Sequence, residues 1–437
     1  MNRKFMSELN EWRLEHTRKP LVLRGARQVG KTWLLKQFGR TYFKYVAYFS
    51  FDRDEAPHFA FTDKNPKRII EQLSLLSGTP IIEGKTLLIL DEIQECPNAL
   101  NALKYFCEEM PSLHVVAAGS LLGTFLSKPS AYPVGKVTIK DVTPMDFAEF
   151  VEAVAPTLYP IFSGDVKKLL QNLDVLHQKL LDLYHQYLLI GGMPEAVACW
   201  CSTHSLEKVQ RIQDDLITFY EGDFGKYLNG LHAARVLMVF RNIVAQLAKE
   251  NEKFIYSAIK AGGRAREFET AIEWAVSAGL FKRVCNLSKP ECPHIAFERL
   301  DCFKLFFFDT GLLCRMARIS AQQILECSDF QFKGPLTENY VLQQLSTKVE
   351  APIHYYSPSE RHELDFLLQF NGQSVPVEVK GGSQVSSRSL KNYIAKHSPN
   401  VAIRFSEKGL DVRAPLISLP LYLAPRLTDI IPTLLQN

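Results

Sequence analysis

A glycine-rich octapeptide, GARQVGKT from Gly25 to Thr32, joins the apolar run LVLR to the helical segment WLLKQF. A G-x-x-x-x-G-K-T loop is useful only when a strand delivers it and a helix leaves it, so this stretch commits the chain to an α/β architecture. Glycines at 25 and 30 let the backbone N–H groups of Ala26, Arg27, Gln28, Val29 and Gly30 turn inward on phosphate oxygens. Lys31 can reach the β and γ phosphates, and the Thr32 hydroxyl can ligate Mg²⁺. The expected ligand is ATP with Mg²⁺.

The surrounding pattern agrees. LVL, YVAYFSF, TLLIL, HVVAAG and VTIK are short apolar runs separated by mixed polar segments, the rhythm of a buried parallel sheet covered by helices. TLLIL ends in Asp91 and Glu92, placed to hold the metal and to orient or deprotonate the attacking water. Acids after a strand also serve as helix caps, and the P-loop is what makes the catalytic reading the sharper one. HVVAAG is followed by Ser120, where a γ-phosphate sensor would sit; an ordinary turn is the alternative.

Beyond residue 150 the pattern becomes helical, with LLDLYHQYLLI interrupted at Gly191, Gly192 and Pro194. Residues from about Leu231 to Leu287 read as three helices and a short strand, the order of a winged helix, with Lys260, Arg264, Arg266, Lys282 and Arg283 around its third helix and wing. These cations suit either DNA contact or a solvated face. His232, Asp309 and His354 have no ligand spacing and read as satisfied polar positions.

Near the C-terminus, ELDFLLQF and SVPVEVK flank Asn371-Gly372, a two-residue type I′ hairpin signal. The implied register sets Phe366 against Val377, Leu364 against Val379, and Asp365 against Glu378, with Pro376 where its missing N–H costs no bond. Like charges facing each other on a sheet are destabilising, so compensation is required. A divalent cation held by Asp365 and Glu378 would supply it, with Lys380 on the same face to activate water and Glu338 as a third acid. The alternative is a salt-bridge ladder in which Lys380 pairs with Glu363.

The 437 residues carry a formal charge of +4, which decides nothing about partners, and suffice for about three domains. Nine scattered cysteines without a C-x-x-C pair read as free thiols, and no apolar run approaches the ~18 residues of a membrane span. A cytoplasmic protein without membrane contact is expected. The composition leaves the oligomeric state open, a homo-oligomer included.

GARQVGKT, LLILDEIQE, VVAAGSLLG, TPMDFAEFV, GGMPEA, FKLFFFDTGLL, GPLTENYVLQQL and ELDFLL with VPVEVKGG, in that order, resemble the prokaryotic AAA-type ATPases that carry an uncharacterised C-terminal domain. The resemblance implies an AAA-type P-loop domain over 1–150, a helical lid or linker over 151–230, a winged helix over 231–330 and a restriction-endonuclease-like α/β domain of the PD-(D/E)xK type over 331–437. It carries nucleotide-binding roles onto Gly25, Gly30, Lys31, Thr32, Asp91 and Glu92, and nuclease-like roles onto Asp365, Glu378 and Lys380, with Glu338 on the opening helix. Where many relatives have Gly-Arg, this chain has Gly135-Lys136, and lysine lacks arginine's forked contact with phosphate. The expected function is an ATP-hydrolysing switch controlling a nuclease-like domain that acts on or binds nucleic acid, DNA being one candidate. The alternative is an ATP-dependent scaffold whose cleavage-inactive domain binds a protein partner.

Overall fold

The computed structural model describes residues 2–120, 135–228, 230–249, 254–326, 329–359, 362–382 and 388–435. The LLG that follows Ser120 in the VVAAGSLLG segment lies outside them. The chain divides into two compact units, Met1–Thr143 with Ser277–Leu280, and Pro144–Val276 with Phe281–Asn437. The modules expected over 151–230, 231–330 and 331–437 all fall almost wholly inside the second.

In the first unit, β1 (Leu21–Arg24), β2 (Tyr45–Ser50), β3 (Thr86–Asp91), β4 (His114–Ala118) and β5 (Thr138–Asp141) form one sheet in the order β2-β3-β4-β1-β5. All neighbours run parallel. The five apolar runs of the sequence are these five strands. β3 and β4 are buried at every position because helices cover both faces, which is why they read as unbroken apolar runs rather than alternating ones. β1 lies between β4 and β5, so its C-terminal end opens into the crevice where parallel sheets bind ligands. Arg3 ties the chain start to this crevice, donating to the Val29 carbonyl at 2.8 Å and to the Thr143 carbonyl at 2.7 Å.

In the second unit, a helix Leu173–Ile190 ends at Gly191, whose φ of +76° only glycine adopts without strain. Gly192 packs so closely that a Cβ would lie 2.1 Å from the Met145 carbonyl oxygen. The helices Gly230–Leu247, Tyr256–Ile259 and Ala265–Ser277 precede β6 (Phe281–Leu287) and β7 (Glu298–Phe307), which pair antiparallel.

A buried helix, Lys333–Leu345, then leads into β8 (His354–Ser359), β9 (His362–Phe370) and β10 (Gln373–Val379), an antiparallel meander. The helix Arg388–His397 crosses to β11 (Ala402–Ser406), parallel to β10. β12 (Asp411–Arg413) and β13 (Leu416–Pro420) complete an eight-stranded sheet ordered β12-β13-β11-β10-β9-β8-β6-β7. The strands of the middle segment thus continue the C-terminal sheet. β6 meets β8 at Asn286 and Tyr355, and the Asn286 amide oxygen accepts the Ser357 N–H at 3.0 Å.

The hairpin register holds as expected. Gln373 pairs with Phe370, Val375 with Leu368 and Val377 with Phe366, and Asn371 and Gly372 have φ of +48° and +74°. Both values are positive, as a type I′ turn requires.

Candidate functional site

Two sites are built by these elements. At the first, the helix Lys31–Tyr42 begins at Gly30 with φ +91° and no side-chain cap, so its first N–H groups are left for a ligand. Gly25 cannot be replaced, since a Cβ there would stand 2.1 Å from the Val142 carbonyl oxygen. The Lys31 ammonium is buried and donates to the Gly25 carbonyl at 2.9 Å, the Ala26 carbonyl at 2.8 Å and the Ser120 hydroxyl at 3.3 Å. Desolvation lowers its pKa to about 8 despite the nearby charges of Glu92 and Asp91.

Asp91 sits at the end of β3, beside the loop. Its Oδ2 accepts the Thr32 hydroxyl at 2.7 Å and the Tyr48 hydroxyl at 2.9 Å. Glu92, held at φ +50°, accepts from Ser120 at 3.3 Å and from the Gln94 amide. Ser120 thereby bridges the lysine and the candidate general base, and every P-loop residue singled out in the sequence lies in this one place. Tyr48 and Gln94 were not anticipated; they sit within or just after apolar runs, where a lone polar residue is a weak signal. Lys136, at the departure from the family pattern, pairs with Glu108 at 2.9 Å.

The chemistry of the donors suits Mg²⁺. The Thr32 hydroxyl and the Asp91 carboxylate are adjacent hard oxygens, and Mg²⁺ is commonly bound by one or two protein oxygens together with substrate phosphates.

The second site lies on β9 and β10. Asp365 and Glu378 are buried, and the paired ladder ends at Phe366 and Val377; beyond it the Asp365 Oδ2 accepts the Val379 N–H at 2.6 Å. Burial first, and the Glu378 charge second, push the Asp365 carboxyl well above the usual carboxylate range. The Glu378 Oε1 meets the Lys380 ammonium at 2.6 Å, while its Oε2 is buried without a hydrogen-bond partner.

Lys380 does not pair with Glu363, as the ladder alternative required. Glu363 is taken by Lys304 of β7 at 2.5 Å, and β7 also packs on β9 through Phe306 and Phe366, whose ring centres are 5.6 Å apart. Lys304 is fully buried and helps to offset the charge of Asp365. Its signal was visible as a lone lysine inside CFKLFFF, but its partner is set by tertiary packing.

Glu338 is buried on the helix Lys333–Leu345 and acts electrostatically on Lys380. Among the described residues no three His, Cys, Asp or Glu side chains converge as a metal-ligand set, so Glu338 does not close a three-acid cage. The Lys380 ammonium, which feels all three acids, supplies charge where that cage would need a cation. Asp365 and Glu378 remain as a two-carboxylate donor pair, which suits Mg²⁺ completed by water and substrate oxygens.

Of the basic cluster around the third middle helix, Lys260, Arg264 and Arg266 are exposed. Arg283 pairs with Glu273 and lies 4.4 Å from the Phe303 ring centre. Asp309 and His354 are buried and hydrogen-bonded, and His232 is exposed. All the described cysteines are free. Among the described residues no helix is long and apolar enough to cross a membrane.

A parallel sheet of this order with a P-loop after β1 and an acid pair after β3 defines a P-loop nucleotide-binding domain. A family profile described as an AAA domain matches residues 17–151, most of them in the first unit. Residues 181–323 and 333–422 match two domains of unknown function, DUF8612 and DUF4143. No curated protein matches the chain. The Walker-type ATPase PABY2304 of Pyrococcus abyssi is similar at 14% identity over 72% of this chain and 95% of its own, with a TM-score of 0.47. Orc1 of Aeropyrum pernix, solved with DNA, is similar at 11% identity over 73% of this chain and 93% of its own, with a TM-score of 0.27. DnaA of Aquifex aeolicus, bound to AMPPCP, is similar at 14% identity over 62% of this chain and 84% of its own, with a TM-score of 0.24. Likeness of this degree carries no argument about function.

Proposed function

We propose that the chain is an Mg²⁺-dependent ATP-hydrolysing switch whose nucleotide state governs a nuclease-like domain acting on DNA. The observation that carries the first half is the convergence of Lys31, Thr32, Asp91, Glu92 and Ser120 around the P-loop. Phosphate oxygens would draw the Lys31 ammonium from the Gly25 and Ala26 carbonyls, and restore a charge that burial disfavours. Thr32 and Asp91 would hold Mg²⁺, which supplies charge neutralisation at the phosphates. Glu92, oriented by Ser120 and Gln94, would accept the proton of the attacking water. Lys31→Ala is expected to abolish ATP turnover by preventing binding; Glu92→Gln is expected to abolish turnover while ATP still binds. Unaltered hydrolysis in either would overturn this assignment.

The nuclease-like half is supported by element order. A helix, three antiparallel strands, a helix and a parallel strand run from Lys333 to Ser406, with Asp365 within β9, Glu378 near the end of β10 and Lys380 just after it, the arrangement expected of a PD-(D/E)xK domain. Asp365 and Glu378 would hold the metal, which would polarise a phosphodiester. The exposed Lys260, Arg264 and Arg266 of the winged-helix segment would contact the DNA backbone. Plasmid nicking with Mg²⁺ or Mn²⁺ is expected for the wild-type protein, at a rate that differs between the arms with and without ATP, and is expected to be lost in Asp365→Ala. Equal nicking by both would exclude cleavage at this pair.

A second reading is favoured by one observation: Lys380 already meets the Glu378 carboxylate at 2.6 Å, where a metal ion would otherwise supply the positive charge. On that reading the domain is cleavage-inactive and binds a protein partner.

A further inference from the structure

The helix Arg388–His397 repeats its chemistry at helical spacing. Ser389, Tyr393 and His397 are four apart, as are Asn392 and Lys396, so both rows lie on neighbouring lines of one face. That face, with Tyr356 of β8 and Leu364 of β9, encloses a cavity of about 310 Å³, the lower end of the range for small-ligand sites. Three rings form its wall. The Tyr393 and His397 ring centres are 4.6 Å apart and tilted 31°, while Tyr356 stands nearly perpendicular to both, 6.1 Å from Tyr393 and 6.3 Å from His397.

Its charge is one-sided. The helix carries Arg388, Lys391, Lys396 and His397 and no acid. Among the described residues that line the cavity the one acid is Glu363, engaged by Lys304 at 2.5 Å, while Glu291 acts on His397 from outside the lining. An aromatic wall, amide and hydroxyl groups at its side and an exposed lysine at the rim match a ligand with a flat π-face, hydrogen-bonding edges and an anionic group. A peptide aromatic side chain lacks the edges and the anion; an inorganic phosphate lacks the π-face.

We propose that this cavity binds the base of a nucleoside 5′-phosphate, stacked on the exposed His397 ring that Tyr393 backs, with Lys396 on the phosphate. The residues lining the cavity include Glu363 and Leu364 of β9 but none of Asp365, Glu378 and Lys380. The site is therefore distinct from the Asp365–Glu378 pair and from the P-loop. It rests on reading this unit as one that faces nucleic acid, but not on cleavage. Its ligand is either a free mononucleotide or one nucleotide of a single strand, since stacking of this kind tolerates any base.

The test uses the full-length chain with Lys31→Ala, so that the P-loop is silent, and 1,N⁶-etheno-AMP as a fluorescent probe. Saturable quenching is expected. His397→Ala and Lys396→Glu, both at exposed positions, are expected to weaken it about tenfold, a 1.4 kcal/mol loss. Asp365→Ala is expected to bind as before, which separates failure here from failure of the nuclease-like reading. If the probe does not bind but the two variants weaken a short oligothymidylate, the ligand is part of a strand. If neither probe distinguishes the variants from the parent, the proposal is overturned.

Discussion

Single side chains in the P-loop unit act through their neighbours. Desolvation leaves Lys31 with a pKa of about 8, and phosphate would restore its proton, so the nucleotide complex favours the charged form. ATP affinity is therefore expected to be flat below about pH 8 and to fall above it, which a nucleotide titration from neutral to alkaline pH would show. Tyr48→Phe removes a 2.9 Å hydrogen bond to Asp91 without touching the loop. Because partners of a ligating carboxylate tune its metal affinity, the Mg²⁺ needed for half-maximal hydrolysis is expected to rise about tenfold. The principal P-loop residues were legible because loop, lysine and hydroxyl are consecutive in sequence. Tyr48 was not, because its role exists only once β2 lies beside β3.

At the scale of elements, backbone joints carry the stability of the second unit. The buried Asp309 caps the helix Thr310–Met316 through the Leu312 N–H at 2.9 Å and accepts the Gly192 N–H at 2.7 Å. Burial raises its pKa to about 6. A carboxyl with a raised folded-state pKa contributes stability below its unfolded pKa, near 4, and that contribution is lost as pH rises through about 6. Asp309→Ala would strand both N–H groups and is expected to cost about 2–4 kcal/mol in urea unfolding. At the hairpin, Gly372 has φ +74° with open space around it, so Gly372→Ala is expected to cost only about 1 kcal/mol, from backbone strain. The turn was readable from Asn371-Gly372 alone, since turn type and loop length set the register. The Gly192–Asp309 joint could not be paired from sequence, because its two motifs are distant along the chain.

Over the whole molecule, the carboxylate pair shows what stability gives up for a site. Asp365 has a raised pKa, so its contribution to stability is greatest when protonated and is lost as pH rises through the folded-state value. Asp365→Asn keeps an oxygen for the Val379 N–H and removes the repulsion. It is expected to raise Tm over wild type at pH 8, with the gap shrinking in acid; Mg²⁺ is expected to raise the wild-type Tm more than that of the variant, which keeps only the P-loop pair. The sequence by itself determined the parallel sheet, the P-loop and the hairpin register, because each rests on residues adjacent in the chain or on the two-residue period of a strand. Only the tertiary structure decided that the middle strands continue the C-terminal sheet, that Lys304 takes Glu363, and that Glu338 stands apart from a metal cage. Those outcomes depend on which distant side chains share a low-dielectric interior, where a partner lowers the cost of a buried charge and periodicity carries no record of the choice.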